Sequence, residues 1–111
     1  MGNEYKPFSI KNWAVGDQPR EKLISKGKMA LSDAELIAIL IGTGNTDESA
    51  VELSKRILSK TSNNLNALGK LSFQQLTSFK GIGEAKAVTI MAAMELGRRR
   101  PAIRFLSYCN L

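Results

Sequence analysis

From residue 17 to residue 100, apolar positions recur at spacings of three and four, and no alternation of period two is long enough for a strand. The pattern predicts an all-α chain, a compact bundle of about five to six helices. Pro19 at a first helical position and Gly27 as a stop predict a helix over 19–26, capped by Asp17 or Gln18. Ser32-Asp33-Ala34-Glu35 has capping-box spacing and opens a second helix, apolar on every face except at Glu35 and therefore expected in the middle of the bundle. A third helix, expected to be capped near Asp47, sets Ala50, Leu53, Ile57 and Leu58 on one stripe against Glu52, Lys55, Arg56 and Ser59. Leu65 to Leu68 reads as a helical turn ended by Gly69. Ser72-Phe73-Gln74-Gln75 repeats the capping-box spacing ahead of Leu76 and Phe79. The last helix runs from Glu84 to about Gly97 and is so rich in Ala, Val, Ile and Met that a central position is expected.

Two stretches of the chain match at an offset of 40 residues. Leu31-Ser32 leads through Leu36 to Gly42-Thr43-Gly44, and Leu71-Ser72 leads through Leu76 to Gly81-Ile82-Gly83. Each copy reads as capped helix, Gly-x-Gly turn and second helix, a unit whose two copies could cover each other's apolar faces. The expected organisation is an N-terminal arm over 1–16, with Ile10 and Trp13 able to dock on the core, a helical domain over 17–100, and a tail or interdomain linker over 101–111.

Composition narrows the chemistry by exclusion. The chain has no histidine, which removes Ser-His-Asp and Cys-His catalysis and every His-containing metal site. Its one cysteine, Cys109, has no internal disulfide partner. No apolar run approaches the roughly 20 residues of a membrane span, and Met1 to Ser9 has no signal-like core, so a cytoplasmic location is expected. The net charge of +6 is unevenly spread: residues 1–54 carry −2 and residues 55–111 carry +8. A basic half is the footprint of a surface that meets a polyanion, and equally of an ordinary solvated face.

The turn Lys80-Gly81-Ile82-Gly83 carries the sharpest hypothesis. On a structural reading Gly81 ends one helix through its freedom at positive φ while Ile82 plugs the core. On a functional reading the glycines let a phosphate approach backbone N–H groups at a helix start, where those donors lack intrahelical partners and the helix dipole favours an anion. Lys80 flanks the turn. Lys86 lies in the first helical turn, where a cation is disfavoured unless an anion is near. The candidate phosphate-binding set is therefore Lys80, Gly81, Ile82, Gly83, Ala85 and Lys86. Gly42, Thr43 and Gly44 form a candidate second hairpin, expected to be mainly structural because acids follow it. Arg98, Arg99 and Arg100 complement the dipole at the end of the last helix and are candidate auxiliary phosphate contacts. Phe73 and Phe79 are expected in the core, whereas Tyr5 and Trp13 could be buried or exposed.

Lys80-Gly81-Ile82-Gly83 with Ala85 and Lys86 resembles the hairpin of the helix-hairpin-helix DNA binders. A longer ordered set is similar to the N-terminal domain of RadC-type proteins, associated with bacterial DNA repair: Asp17-Gln18-Pro19-Arg20-Glu21-Lys22-Leu23, Leu31-Ser32-Asp33-Ala34-Glu35-Leu36, Thr43-Gly44, and Gly81-Ile82-Gly83-Glu84-Ala85-Lys86-Ala87. This resemblance covers about residues 8–100. It implies tandem, pseudo-duplicated helix-hairpin-helix units of a SAM-like type similar to the second domain of RuvA. It also implies sequence-nonspecific binding to the phosphate backbone of duplex or branched DNA. In that family a metalloprotease-like domain of JAB/MPN type follows, with a His-x-His zinc site that this chain lacks, so no hydrolase activity, metal, cofactor or small-molecule substrate carries over. Such a missing C-terminal domain is a further candidate partner, and a membrane is not one. Family members often have Arg where Gly42 stands, so a DNA contact at the first turn does not carry over directly. The rival expectation is a helical protein-interaction or regulatory domain that positions a partner without binding DNA. A glycosylase of helix-hairpin-helix type would need an Asp after the hairpin, and no Asp follows Asp47.

Overall fold

The computed structural model describes residues 18–100. The expected arm over 1–16, the cap candidate Asp17, and Pro101 with the tail to residue 111 lie outside the described residues, as do Tyr5, Trp13 and Cys109. Six α-helices and one 3₁₀ turn make up the described part, which contains no strand. α1 (Pro19–Lys26) starts on a buried Pro19 and stops at Gly27, whose φ of 89° and N–H donation to Leu23 O close the helix. A 3₁₀ turn (Lys28–Ala30) leads to α2 (Asp33–Ile41).

The capping box predicted for α2 is present. Ser32 Oγ accepts the Glu35 N–H at 3.2 Å, and Glu35 Oε1 accepts the Ser32 N–H at 2.8 Å. The same carboxylate takes Lys22 Nζ at 3.0 Å, which ties α1 to α2. Burial alone would raise the Glu35 pKa, but the Ser32 N–H and the Lys22 ammonium outweigh it and hold the carboxyl below its ordinary range.

α3 (Ala50–Lys60) is capped by Ser49, with Glu52 completing the box, so the cap lies two residues after Asp47, where the sequence placed it. Asn45 is the reason: its Oδ1 accepts the N–H groups of Asp47 and Glu48, and this local turn uses the residues that would otherwise start the helix. The predicted stripe is buried as expected, with Leu53 and Ile57 at 0% exposure. α4 (Leu65–Gly69) is capped by Asn64 and α5 (Phe73–Thr77) by the Ser72 and Gln75 box.

α6 (Glu84–Arg99) runs two residues past Gly97. The last turn is sustained by Arg98 and Arg99, both paired with Glu95. α2 packs mainly on α3 and α6, and α5 and α4 also pack against α6. The core joins Ile37 and Ile41 of α2, Leu53 and Ile57 of α3, Leu68, Leu76, Ile82 and Ile90, with Phe73 and Phe79 packed against it.

The two helices expected at the centre are more open than their composition suggests. α2 leaves Leu36 38% exposed. α6 buries only Ala87 and Ile90, and leaves Val88 at 52% and Leu96 at 68%. An all-round apolar helix is buried only when neighbours stand on every side, and α6 has them on one. Among the described residues no helix is long and apolar enough to cross a membrane.

Candidate functional site

The turn before α6 and the loop after α2 lie against each other. In the turn, Gly81 has φ 98°, a value that disfavours any side chain. A Cβ there would stand 2.9 Å from Asn45 Nδ2 and 3.0 Å from Leu53 Cδ2, so these two side-chain ends would also have to shift. In the other loop Gly42 has φ 80°, and a Cβ on Gly44 would collide with the Glu48 carbonyl and the Ser49 backbone. Gly42, Thr43 and Gly44 thus form a tight structural turn five residues before the α3 cap. They do not present the start of a helix.

Gly83 is different from the other loop glycines. Its backbone is extended, at φ −94° and ψ −168°, and a Cβ there would meet nothing within 4 Å. Neither conformation nor crowding demands glycine at 83. It is the N-cap of α6 and supplies no side-chain acceptor, whereas α2, α3, α4 and α5 are each capped by a side chain of their own. The first-turn N–H groups of α6 are therefore left open beside exposed Gly83, Glu84 and Ala85.

The other predicted residues have specific places. Ile82 is 3% exposed, and its N–H donates to Phe79 O at 3.0 Å, so it anchors the turn. Lys80 Nζ pairs with Asp47 Oδ2 at 2.9 Å on the surface, and this carboxylate raises the Lys80 pKa. Lys86 Nζ donates to Thr43 O at 2.7 Å and, over longer distances of 3.4 and 3.3 Å, to Gly44 O and Gly81 O. Arg98 and Arg99 hold Glu95 in exposed pairs that lower its pKa to about 2. Arg100 is exposed at the end of α6.

Arg56, which the sequence placed only on the polar face of α3, is part of this site. It grips Glu48 with Nε and Nη2, both at 2.8 Å, and its Nη2 also donates to Lys80 O at 2.8 Å. The guanidinium hydrogen bonds keep the Glu48 carboxyl below its ordinary range. The 40-residue repeat pointed to two units that cover each other's apolar faces, but nothing in the pattern pointed to Arg56. Asp47 and Glu48 pair with Lys80 and Arg56, and the exposed Glu84 follows Gly83 in the chain, so acids offset much of the basic charge around the turn.

The domain model of the UPF0758 N-terminal family matches residues 10–88. The chain belongs to this RadC-like family. A UPF0758 protein of Flavobacterium johnsoniae is 65% identical over 95 residues, 86% of this chain and 41% of that protein. One from Porphyromonas gingivalis is 54% identical over 86% of this chain and 42% of its own length. Another from Alkaliphilus oremlandii is 43% identical over 89% and 43%. The chain thus spans about two-fifths of the length of these UPF0758 proteins. No solved structure matches the chain.

Proposed function

We propose that this UPF0758 N-terminal domain is a sequence-nonspecific DNA-binding module of tandem helix-hairpin-helix type. It grips the phosphate backbone of duplex or branched DNA, serves repair or recombination as the N-terminal part of a RadC-like protein, and performs no catalysis itself. The observation that carries this reading is the open start of α6: an N-cap glycine without steric cause, on a helix that, unlike the other long helices among the described residues, is closed at its first turn neither by a side-chain cap nor by a proline. A phosphate there would receive backbone N–H donors and the positive end of a helix 16 residues long. Lys80, 72% exposed in its pair with Asp47, is free to exchange a carboxylate for a phosphate. A backbone grip reads no base edge, which makes the binding independent of sequence. With Asp47 and Glu84 close by, the binding should be weak, and added salt should weaken it further.

Fluorescence anisotropy with duplexes of unrelated sequence and a four-way junction tests the reading. Equal affinities across sequences are expected, falling with salt at a slope set by about two neutralised phosphates, or roughly −2 in log–log form. Absence of binding at about 50 mM salt, where such contacts are strong, would reject it. The second reading, a helical protein-interaction or regulatory domain that positions a partner domain, is favoured by the solvent face of α6. There Ala85, Val88, Ala92 and Leu96 line up at helical spacing and remain exposed. Under that reading the domain binds no DNA even at low salt, and Val88→Glu and Leu96→Glu abolish its function.

A further inference from the structure

Lys86 occupies a place that electrostatics disfavours, the first turn of a helix whose N-terminal end is already positive. What offsets this is not a ligand but the chain itself. Two carbonyl oxygens from the loop after α2, Thr43 O and Gly44 O, and one from the turn before α6, Gly81 O, converge on its ammonium. An ammonium has three N–H donors and no acceptor, and it makes one short bond, to Thr43 O at 2.7 Å, with the other two oxygens at 3.3 and 3.4 Å. The acceptors are fixed in place. Asn45 holds its loop through the N–H groups of Asp47 and Glu48, and its side chain lies close against Gly81, 2.9 Å from where a Cβ would stand. Arg56 makes a second link, from Glu48 of one loop to Lys80 O of the other.

We propose that Lys86 is a positioning residue that clasps the two glycine loops into one unit and makes no contact with phosphate. The clasp fixes the open start of α6 against the first loop. Its consequence for DNA affinity, and only that consequence, rests on the DNA-binding reading above. Phosphate contact by a side chain falls instead to Lys80, whose ion pair is exposed and exchangeable.

The test is made on the 111-residue chain. In the free wild-type protein, the Lys86 ammonium protons should exchange with water at least tenfold more slowly than those of exposed Lys55 and Lys60. In Lys86→Met, which keeps the stem and loses the donors, the backbone amides of Thr43, Gly44, Asn45 and Gly81 should shift and exchange faster without DNA present. Duplex affinity should fall about tenfold in that variant while the salt slope stays that of the wild type, because no phosphate contact has been removed. Ammonium exchange as fast as at Lys55, loop amides unmoved in Lys86→Met, or a salt slope reduced by about one would each overturn the proposal. If Lys86→Met does not fold, the wild-type ammonium exchange decides alone. If the wild-type chain binds no DNA at low salt, the DNA reading fails, and the free-protein measurements still judge the clasp.

Discussion

Replacing Gly83 by Asp should make the domain more stable and a poorer DNA binder at once, two effects that few substitutions combine. The backbone at 83, φ −94° and ψ −168°, is close to that of the side-chain caps Ser32, Ser49 and Ser72, and a Cβ meets nothing within 4 Å. An Asp there adopts the N-cap conformation without strain and accepts the first-turn N–H groups now left open. Exchanging Gly for a good N-cap contributes a few tenths of a kcal/mol. A negative charge at the helix start adds about 0.3–1 kcal/mol, and repulsion from Glu84 keeps the total near the lower end. A gain of about 0.5 kcal/mol raises Tm by about 2–4 °C in a domain of this size. The same carboxylate takes the donors a phosphate needs and repels it. Loss of one charge-assisted hydrogen bond, about 1.5–3 kcal/mol, weakens binding roughly ten- to hundredfold. Thermal melts followed by circular dichroism and anisotropy titrations read the two effects separately. Gly83→Ser, which caps without charge, should give a smaller rise in Tm and a severalfold loss of affinity. A Gly83→Asp domain with raised Tm and DNA affinity within twofold of wild type would refute the reasoning, since the helix start would then be open but unused.

Asp47→Asn removes the carboxylate that holds Lys80 and should strengthen duplex binding severalfold while leaving Tm unchanged, by anisotropy and thermal melts. Gly81→Ala places a methyl at positive φ against Asn45 and Leu53 and should cost at least about 1–2 kcal/mol in urea unfolding. Gly44→Ala should be worse, because the obstacle there is backbone. Glu35 and Glu48 titrate below the ordinary 4.5 and Glu95 at about 2, so the stability these carboxylates contribute is complete above pH 4.5. It is lost as pH falls through their lowered values. With no histidine in the chain, Tm should be flat between about pH 5 and 7 and then decline toward pH 2. Glu48→Gln should flatten that decline.

Local rules made most of the helix boundaries legible. The boxes at Ser32 and Ser72 and the Pro19 to Gly27 span were read from residues three to eight apart, where the controlling interactions lie within the element itself. The start of α3 was misplaced because Asp47 and Ser49 both have capping chemistry, and what decides between them is the turn made by Asn45. The openness of α6 was hidden for another reason: apolar residues can be counted along a helix, but the neighbours that cover them cannot. The Lys80-Gly81-Ile82-Gly83 turn was recognisable as a glycine turn opening a helix. The roles within it were not, because Lys86 finds two of its three acceptors 42 and 43 residues away and Lys80 its carboxylate 33 away. The distinction between Gly81, favoured by its own positive φ, and Gly83, crowded by nothing among the described residues, exists only once the loops are packed.

The central claim is that DNA phosphate is held at the open start of α6. Backbone amide shifts of the ¹⁵N-labelled chain, followed as a short duplex is added at low salt, test it most directly. The account predicts the largest changes at Gly83, Glu84 and Ala85, reversed by added salt and the same for duplexes of different sequence. Changes confined to the Val88 and Leu96 face or to Arg98–Arg100, or no changes at all, would contradict it.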